Sequence, residues 1–588
     1  MPHRLAGSAS PYLRQHADDP VEWYVWGDEP FEAAARLGRP VLLSCGYSAC
    51  HWCHVMQRES FRDAGTAALI NERFVAVKVD RELRPDVDAL YQDYVAASTG
   101  SGGWPLTVWL TPERLPVFGG TYFPKDAPPG LVSFPDALSA VADAWRDDRA
   151  DVERTAAESL SFLRAQAAKR PEGPIDRAML DFAADQVVQM QDTVHGGLAG
   201  APKFPQFPVV EFLCAYAALV PDVELLLAIE RTLLAVVRGG VFDQVGGGMH
   251  RYATDEAWRV PHFEKMLYDQ GLLLSSLAAA APLASGEDVR DEYAHAALAT
   301  TAFLRREMAL PGGGFAGALS ADTGGVEGAT YTWTRDQLVA VLDDSEMGLA
   351  VERLGAEPSG STRAVTLHRP DGRGDDADAV DAVLAKLAAA RAARPQPERD
   401  GKLLTSWNAM AARGLMDAGR AFGDRSMVET GMATLDVLLS CAVRADGVVR
   451  ESSDPAVADV RLLEDAAHLV SALLTAADAT DDPTFLGRAA DLHADAVERF
   501  GDGSILYLTP LDTDLPVRAR EGGDSAVPTG ASTTIENAVR LGTATADAAQ
   551  FAFARAALSQ MWSLADFAPE QAGRTLSAAV LLEMAGRG

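Results

Sequence analysis

Two closely spaced cysteines carry the most specific chemical signal in the sequence. Cys50 and Cys53 form a Cys-x-x-Cys pair that follows a predicted strand and opens a predicted helix. The free amides and the dipole at a helix N-terminus favour the thiolate of the first cysteine, and the second, one turn further on, can resolve a mixed disulfide. His51 lies between them and, as an imidazolium, could stabilise the Cys50 thiolate further. The spacing predicts thiol–disulfide exchange, with Cys50 the more exposed and more acidic thiol and Cys53 the buried one.

Three other interpretations use the same residues. Cys-x-x-Cys followed by His54 also matches covalent haem attachment, which requires an exported chain, and residues 1–8 lack the apolar core of a signal peptide. Two cysteines and two histidines within five residues could bind zinc, but a single helical turn cannot arrange four ligands tetrahedrally. Two semi-buried, unreactive thiols are the third interpretation. We predict no metal and no cofactor.

A second group of polar residues surrounds a glycine-rich loop at 240–252 and the stretch 261–269 that follows it. The stretch is predicted to start a helix with Pro261 in its first turn. Such a helix would place His262, Lys265 and Asp269 on one face. Histidines, acids, a lysine and an arginine at such a position are suited to acid–base chemistry on sugars. A glycosidase needs two carboxyl groups roughly 5–9 Å apart, whereas an epimerase needs a proton-transfer pair.

The candidates in this region divide into catalytic and substrate-binding residues. The catalytic candidates are His250, His262, Glu264 and Asp269. The substrate-binding candidates are Asp243, Arg251, Lys265, Asp322, Trp407 and Asn408. The candidate carboxyl groups are Asp243, Glu264, Asp269, Asp322, Glu327 and Asp465.

These side chains are predicted to converge on one pocket, because ionised groups are not buried without partners. The predicted pocket unites His250, Arg251, His262, Glu264, Lys265 and Asp269 with Trp407 or Asn408. Trp407 could stack against a sugar ring. The alternative is an ion-pair network that pins the loop to the next element, with Glu264 paired to Arg251 for example.

The elements around the cysteines alternate between strands and helices. Short apolar runs predict buried strands at 40–44, 74–80 and 106–110. Helical stretches are predicted at about 50–61 and 85–97. Strands that alternate with helices indicate a small α/β unit with a parallel component, and we place it at residues 1–135.

The remainder of the chain has a helical pattern. Residues 136–174 are predicted to form a helical connector that ends in a proline- and glycine-containing linker. Residues 175–588 contain amphipathic helices separated by glycine-rich corners. This length suits six helical hairpins, and the pattern predicts an (α/α)6 toroid whose inner helices line one open mouth. An α-solenoid is the alternative, although no strict short period is visible.

Composition excludes several functional classes. Of the 588 residues, 48% are hydrophobic and 23% charged, which is typical of a globular protein rather than a disordered one. A formal charge of −31 argues against nucleic acid or an anionic membrane as the main partner. No apolar run approaches the roughly 20 residues of a membrane span. A cytoplasmic location is therefore the default expectation. A small carbohydrate and a protein disulfide, or a thioredoxin-reductase-type protein, are the expected partners.

Longer motifs extend over most of the chain. They lie at residues 10–17, 20–24, 46–56, 78–82, 102–107, 201–205, 246–252, 261–269 and 406–408. Together they resemble the spermatogenesis-associated protein 20 family, whose bacterial members are usually called thioredoxin-domain-containing proteins. The resemblance weakens between about 340 and 390 and after about 440.

The resemblance implies a thioredoxin-like domain followed by a six-hairpin, glycosidase-like toroid, similar to those of N-acylglucosamine 2-epimerases and several glycoside hydrolases. It also implies that Pro105 is a cis-proline facing the two cysteines. The sequence departs from the usual thioredoxin pattern in two places, because residues 41–43 contain no acid and Cys45 replaces an apolar residue. The implied function is a thiol–disulfide module fused to a toroid that binds or processes a carbohydrate. The alternative is a non-catalytic binding protein that keeps both folds.

Overall fold

A computed structural model describes residues 4–128, 130–168, 171–357, 364–451 and 460–586. The chain divides into two compact units. The first, here called the α/β unit, takes its residues from 1–169, 449–462 and 507–521. The second, here called the helical unit, takes its residues from 170–448, 463–506 and 522–588.

A twisted sheet organises the α/β unit. Its strands are β1 (Tyr24–Val25), β2 (Val41–Gly46), β3 (Val75–Asp80), β4 (Leu106–Leu110) and β5 (Pro116–Gly120). The strand order is β1-β3-β2-β4-β5. Strand β3 runs parallel to β1 and β2, and β4 runs antiparallel to β2 and β5. The predicted strands and the parallel component are confirmed, and the mixed sheet has the thioredoxin-like arrangement.

Helices cover the sheet. They are α1 (Pro11–Gln15), α2 (Asp28–Leu37), α3 (His51–Met56), α4 (Ala64–Arg73), α5 (Pro85–Thr99), α6 (Phe134–Asp147) and α7 (Arg149–Ala167). Helix α3 continues as a π-helical turn over Gln57–Phe61, so the helical stretch predicted after the cysteines is confirmed. Helix α5 begins at a proline and ends at Thr99, and the capping residue Gly100 has a φ of 84° that suits a glycine. The apolar side chains of β2, β3 and β4 pack with those of α2 and α5 into one core.

The helical unit consists mainly of α-helices. They are α8 (Arg177–Gln189), α9 (Phe207–Ala217), α10 (Val223–Arg238), α11 (Leu267–Ala280), α12 (Glu287–Phe303), α13 (Arg335–Val339), α14 (Asp344–Leu354), α15 (Ala377–Ala392), α16 (Thr405–Phe422), α17 (Arg425–Cys441), α18 (Leu463–Thr480), α19 (Pro483–Phe500), α20 (Gly530–Thr545), α21 (Ala548–Ser559), α22 (Trp562–Phe567) and α23 (Gly573–Ala585).

Short two-residue strands lie in the connections between these helices. They are β6 (Tyr252–Ala253), β7 (Pro261–His262), β8 (Lys265–Met266), β9 (Ala318–Leu319), β10 (Asp322–Thr323), β11 (Val326–Glu327), β12 (Trp333–Thr334), β13 (Ala364–Val365), β14 (Arg399–Asp400), β15 (Val443–Arg444), β16 (Gly447–Val448), β17 (Gly501–Asp502) and β18 (Ile505–Leu506).

The long helices close into a ring. Helix α9 packs on α11, and the contacts continue through α16, α18 and α20 to α23, which packs back on α9. Helices α8, α10, α12, α17, α19 and α21 pack against the outside of this ring. Inner and outer helices alternate along the chain, which is the (α/α)6 toroid. The solenoid alternative is wrong, because the last inner helix contacts the first.

The helix predicted from Pro261 is wrong. Pro261–His262 is the short strand β7, which pairs with β6, and Lys265–Met266 is β8, which pairs with β9. Helix α11 begins only at Leu267. Because extended residues alternate between two sides, His262 and Lys265 do not share a helix face with Asp269. Pairing with neighbouring strands satisfies the backbone here in place of helical hydrogen bonds.

No helix in the described ranges is both long and apolar enough to cross a membrane.

Candidate functional site

The cysteine pair lies at the start of α3. Cys50 is the N-cap residue, and its sulfur accepts a hydrogen bond from the Cys53 amide at 3.2 Å. The two cysteines form a disulfide, with their Cα atoms 5.3 Å apart. Both are buried, with exposed fractions of 4% for Cys50 and 2% for Cys53. Cys53 is buried as predicted, but Cys50 is not exposed, because the residues that lead into the helix are buried as well, Tyr47 and Ala49 among them.

The neighbours of the pair include the expected cis-proline. The Trp104–Pro105 peptide bond is cis, and Pro105 directly precedes β4. Leu106 lies opposite Cys45 in the antiparallel β2–β4 pair, so Pro105 lies beside the end of β2 from which the chain leads to Cys50. His51 packs edge-on against Trp52, whose side chain is 52% exposed. The catalytic roles of His51 and Pro105 stay predictions.

The hydroxyl of Tyr12 lies close to the sulfur of Cys53. A Cβ atom on Gly46 would be 2.5 Å from the Tyr12 hydroxyl and 2.6 Å from the Cys53 sulfur. The two groups are therefore neighbours, and only a glycine leaves room for both. Burial raises the pKa of Tyr12 well above its ordinary value, and the nearby Cys45 and Asp80 raise it further. The hydroxyl stays protonated and can donate a hydrogen bond.

Strand β2 contains no acidic or basic side chain, but the neighbouring strand β3 contains a buried lysine. Lys78 lies on β3, and its ammonium donates a hydrogen bond to the Ser44 hydroxyl at 3.0 Å. It also lies 4.4 Å from the ring centre of Phe61 and 4.9 Å from that of Trp23. Burial lowers the pKa of Lys78 to about 7, although Asp19 and Cys45 oppose the shift. A lysine inside an otherwise apolar strand was the signal in the sequence, and it was missed.

Cys45 has a structural explanation. Its thiol donates to a carboxylate oxygen of Asp88 at 3.5 Å, and that same oxygen accepts from the Trp104 indole at 2.8 Å. Burial and Asp88 raise the pKa of Cys45 well above its ordinary value. Cys45 therefore remains a protonated thiol that helps to hold Asp88 and Trp104 in place.

In the helical unit, His262 lies between two carboxylates. Its Nδ1 is 2.6 Å from Glu327 Oε1, and its Nε2 is 3.3 Å from Glu264 Oε1. Arg251 pairs with the same Glu264 oxygen at 3.0 Å. The imidazole stacks on the partly exposed Tyr252 ring, with 5.1 Å between centroids. We call these residues the His262 cluster. The Arg251–Glu264 ion pair named as the alternative to a ligand pocket is thus present.

The carboxyl groups of this cluster differ in protonation. Burial opposes ionisation of Glu264, but Arg251 and His262 lower its pKa to about 2. Burial also opposes ionisation of His262, but hydrogen bonds to Glu264 and Glu327 raise its pKa to about 9. Burial raises the pKa of Asp269, in the first turn of α11, well above its ordinary value. One oxygen of Asp269 has no hydrogen-bond partner among the residues the structure describes. The surroundings therefore favour ionisation of Glu264 and oppose ionisation of Asp269.

The other candidates form a separate network around Asp243. Asp243 pairs with Lys265 at 2.8 Å and with Arg391 at 2.7 Å. His250 lies nearby, with Nδ1 2.9 Å from the Phe263 carbonyl oxygen. Burial, and then the charge of Lys265, lowers the pKa of His250 to about 3, so this imidazole is neutral. Arg391 was missed, because it comes 148 residues after its partner and no local pattern marks it.

The remaining candidates lie among the helix starts. Asn408 holds the backbone of Phe315 through bonds to its amide and carbonyl groups, at 2.8 and 3.0 Å. Trp407 packs edge-on against Tyr268, with ring centres 4.8 Å apart. Asp322 begins β10. The structure thus joins Arg251, His262 and Glu264 in one cluster, and Asp243 and Lys265 in another. The catalytic and substrate-binding roles of all these residues stay predictions.

Within the described parts of the chain, no group of three or more His, Cys, Asp or Glu side chains is arranged to hold a metal ion.

Comparison with known proteins places the chain in a family. Residues 2–164 match the family model Thioredox_DsbH, described as "Protein of unknown function, DUF255". Spermatogenesis-associated protein 20 of Rattus norvegicus is 33% identical over 606 residues, which cover 92% of this chain and 75% of that protein. The human protein of the same name is 32% identical over 603 residues, covering 92% and 76%. The chain belongs to the spermatogenesis-associated protein 20 family.

A further relative and two solved structures are also similar to this chain. A Caenorhabditis elegans protein, B0495.5, is 32% identical over 92% of this chain and 80% of its own length. A cellobiose 2-epimerase from Bacillus thermoamylovorans is 9% identical, with a TM-score of 0.45, over 70% of this chain and 99% of that one. An α-mannanase from Bacteroides thetaiotaomicron is 10% identical, with a TM-score of 0.42, over 69% and 94%.

Proposed function

We propose that the α/β unit of this family member is a thiol–disulfide oxidoreductase that acts through Cys50 and Cys53. The observation that carries the proposal is the disulfide at the start of α3, in which the Cys50 sulfur accepts the Cys53 amide hydrogen. A sulfur in that position receives a hydrogen bond and the positive end of the helix dipole, and both stabilise a thiolate.

The reaction is a two-electron exchange. In the reduced protein the Cys50 thiolate attacks one sulfur of a target disulfide and releases the first target thiolate. The Cys53 thiolate then attacks the Cys50 sulfur of this mixed disulfide and releases the second target thiolate. The target gains two electrons, the cysteine pair loses them, and the two protons of the dithiol pass to the released thiolates. A dithiol reductant, or a reductase of the thioredoxin-reductase type, must then reduce the Cys50–Cys53 disulfide.

The burial of both cysteines indicates which targets react. The Cys50 thiolate must reach a sulfur of the target disulfide in line with the bond that breaks, and only 4% of Cys50 is exposed. Small, flexible disulfides are therefore the substrates that we expect this unit to reduce fastest. Folded proteins with internal disulfides should be poorer substrates.

Turnover of small disulfides tests the proposal. With dithiothreitol as reductant and oxidised glutathione as substrate, the protein should accelerate glutathione release. Cys50→Ser and Cys53→Ser should each reduce the rate to that of dithiothreitol alone, because each removes one of the two exchange steps. Cys441→Ser, which changes a cysteine of the helical unit, is the matched control and should keep full activity. Equal rates with and without the protein would refute the proposal.

A second proposed function is carbohydrate binding by the His262 cluster. What favours it is a partly exposed imidazolium that is oriented by two carboxylates and stacked on a tyrosine. Glu264, whose pKa its partners lower, and Asp269, whose pKa burial raises, add the unlike carboxyl groups that proton transfer on a sugar requires. A binding protein without catalysis would use the same charged and hydrogen-bonding groups.

Calorimetric titration with glucose, mannose and N-acetylglucosamine tests this second function. At least one sugar should bind, and Tyr252→Ala should abolish binding because it removes the ring against which the His262 imidazole is stacked. Phe567→Ala removes an aromatic ring that is 80% exposed elsewhere in the helical unit and should leave binding unchanged. Absence of binding by all three sugars, or equal binding by the two variants, would refute carbohydrate binding at this cluster.

A further inference from the structure

A cavity with charged lining residues lies inside the ring of inner helices. It has a volume of about 350 Å³ and is lined by residues from α9, α11, α16, α18, α20 and α23, that is, from every helix of the inner ring described above. An adjoining cavity of about 610 Å³ shares Glu211, Arg413 and Asp417 with it. We call the two together the axial cavity.

The axial cavity is distinct from the His262 cluster. It reaches Ala279, near the end of α11, whereas His262 and Glu264 precede the start of that helix. Asp269 in the first turn and Ala279 are ten residues apart, which is about 15 Å along an α-helix. The two sites therefore lie towards opposite ends of α11.

The floor of the axial cavity is a buried network of charges. Arg574 pairs with Glu211 and Glu536, each at 2.8 Å. Arg413 lies 3.2 Å from the same Glu211 oxygen and 3.4 Å from Asp417. Burial opposes ionisation of Glu536, but Arg574 and Arg413 lower its pKa to about 2, so the network is ionised.

Two buried polar atoms at this floor are left without partners. Glu211 is 7% exposed and Arg574 is 2% exposed. Neither Oε1 of Glu211 nor Nε of Arg574 forms a hydrogen bond within the described portion of the chain. A buried polar atom without a partner costs roughly 1–3 kcal/mol, which ligand hydroxyl groups would offset. Glu211 faces both parts of the cavity, so its free oxygen is available as an acceptor there.

The rim of the axial cavity carries arginines that form no ion pairs among the described residues, whereas the arginines of its floor are paired with carboxylates. Arg290 and Arg420 line the larger part and are exposed, and neither forms an ion pair with any described residue. Arg290 donates one hydrogen bond to the Ala421 carbonyl oxygen. In a chain with a net charge of −31, two guanidinium groups without carboxylate partners form a local site that attracts anions.

We propose that the axial cavity binds a phosphorylated small polyol, of the size and chemistry of a sugar phosphate. The phosphate lies at Arg290 and Arg420, because guanidinium groups bind phosphate oxygens through paired hydrogen bonds. The hydroxyl groups lie deeper, where they donate to Glu211 and to Asp417, which already accepts from the Ser275 hydroxyl at 2.9 Å. The carboxylates select against phosphate alone, and the arginines select against a neutral sugar.

Isothermal titration calorimetry with glucose 6-phosphate, glucose and inorganic phosphate tests the proposal on the full chain. Glucose 6-phosphate should bind, and the other two should bind at least about tenfold more weakly, since each lacks one set of contacts. Absence of glucose 6-phosphate binding would overturn the proposal. Equal binding of phosphate would overturn the polyol contacts, and equal binding of glucose would overturn the phosphate contacts.

Variants locate the ligand. The double variant Arg290→Ala/Arg420→Ala should weaken glucose 6-phosphate binding about tenfold or more. Both side chains are exposed, so the variant should fold, which far-UV circular dichroism checks. Arg425→Ala, at a 91% exposed arginine side chain on α17, is the matched control and should bind normally. Unchanged binding by the double variant would refute this site.

Two further variants separate this site from the His262 cluster. Glu211→Gln should weaken glucose 6-phosphate binding but not phosphate binding, because the change affects only the polyol contacts. His262→Ala should leave glucose 6-phosphate binding unchanged. Loss of binding in His262→Ala would place the ligand at the His262 cluster and overturn the assignment to the axial cavity. Carbohydrate binding at the His262 cluster can fail without affecting this result.

Discussion

The residues of the cysteine site are close together in the sequence, whereas those of the buried charge network of the axial cavity, here called the axial network, are far apart. Cys50 and Cys53 are three residues apart and lie on one helix turn that follows a strand directly. Glu211, Arg413 and Arg574 come from α9, α16 and α23 and meet only because the toroid closes. A local motif thus defines the first site, whereas the fold itself must exist before the second can form.

The two sites also stabilise their polar groups differently. At the disulfide, a covalent bond and one amide hydrogen bond satisfy the sulfur atoms without charge. In the axial network, arginine and glutamate side chains are buried as ions and depend on one another. Removing one ion from such a network leaves its partner buried and uncompensated, which costs more than the net stabilisation that the pair provides. The following substitutions test this difference.

Arg574→Ala should have the largest effect. It leaves Glu211 and Glu536 without their shortest ion pairs and should destabilise the helical unit by about 3–5 kcal/mol. Denaturant unfolding followed by far-UV circular dichroism measures the change, since helices dominate that signal. Arg425→Ala, whose ion pair with Glu429 is exposed, should change stability by less than about 0.5 kcal/mol. Equal effects of the two substitutions would show that the axial network contributes no more than a surface pair.

Protonation of His262 should make the free energy of unfolding depend on pH. Its pKa is raised from 6.5 to about 9 in the folded protein, so its contribution is complete below pH 6.5 and is lost as the pH rises through 9. The loss should amount to about 3 kcal/mol. The lowered pKa of Glu264 reflects the same ion pair. Its contribution to stability changes in a lower pH range, because it is lost as the pH falls from 4.5 through 2.

Unfolding measured between pH 6 and 10 in the wild type and in His262→Gln tests this prediction. The difference in stability between the two proteins should shrink as the pH rises through 9. A difference that stays constant over this range would mean that His262 is neutral in the folded protein.

Gly46→Ala should have a smaller effect, at the cysteine site. The added methyl group would meet the Tyr12 hydroxyl and the Cys53 sulfur at 2.5 and 2.6 Å. Overpacking of this kind costs about 1–3 kcal/mol. Thermal unfolding of the α/β unit, monitored by tryptophan fluorescence, would report the loss. Gly7→Ala, where a methyl group meets nothing within 4 Å, should unfold like the wild type. If both variants match the wild type, the packing around Cys53 is looser than described.

The sequence predicted the α/β unit more completely than the helical unit. The three strands predicted for it, the helix after Cys50 and the cis Trp104–Pro105 bond are all confirmed, whereas β1 and β5 were not predicted. The confirmed features depend on contiguous motifs, so local patterns reveal them. The helix predicted at Pro261 was wrong, because pairing with β6 and β9 overrides the helical pattern of residues 261–266. Glu211, Arg413, Glu536 and Arg574 were missed because they come from four different helices far apart in the sequence, and only ring closure shows that they meet.

The central claim is that Cys50 and Cys53 are a reversible redox pair. Equilibration in mixtures of reduced and oxidised dithiothreitol, followed by maleimide labelling and peptide mass spectrometry, tests it most directly. The account predicts that Cys50 and Cys53 change together, in one two-electron step, while Cys45, Cys214 and Cys441 remain thiols throughout. A pair that keeps one state across the whole range of mixtures, or a step that involves any of the other three cysteines, would contradict it.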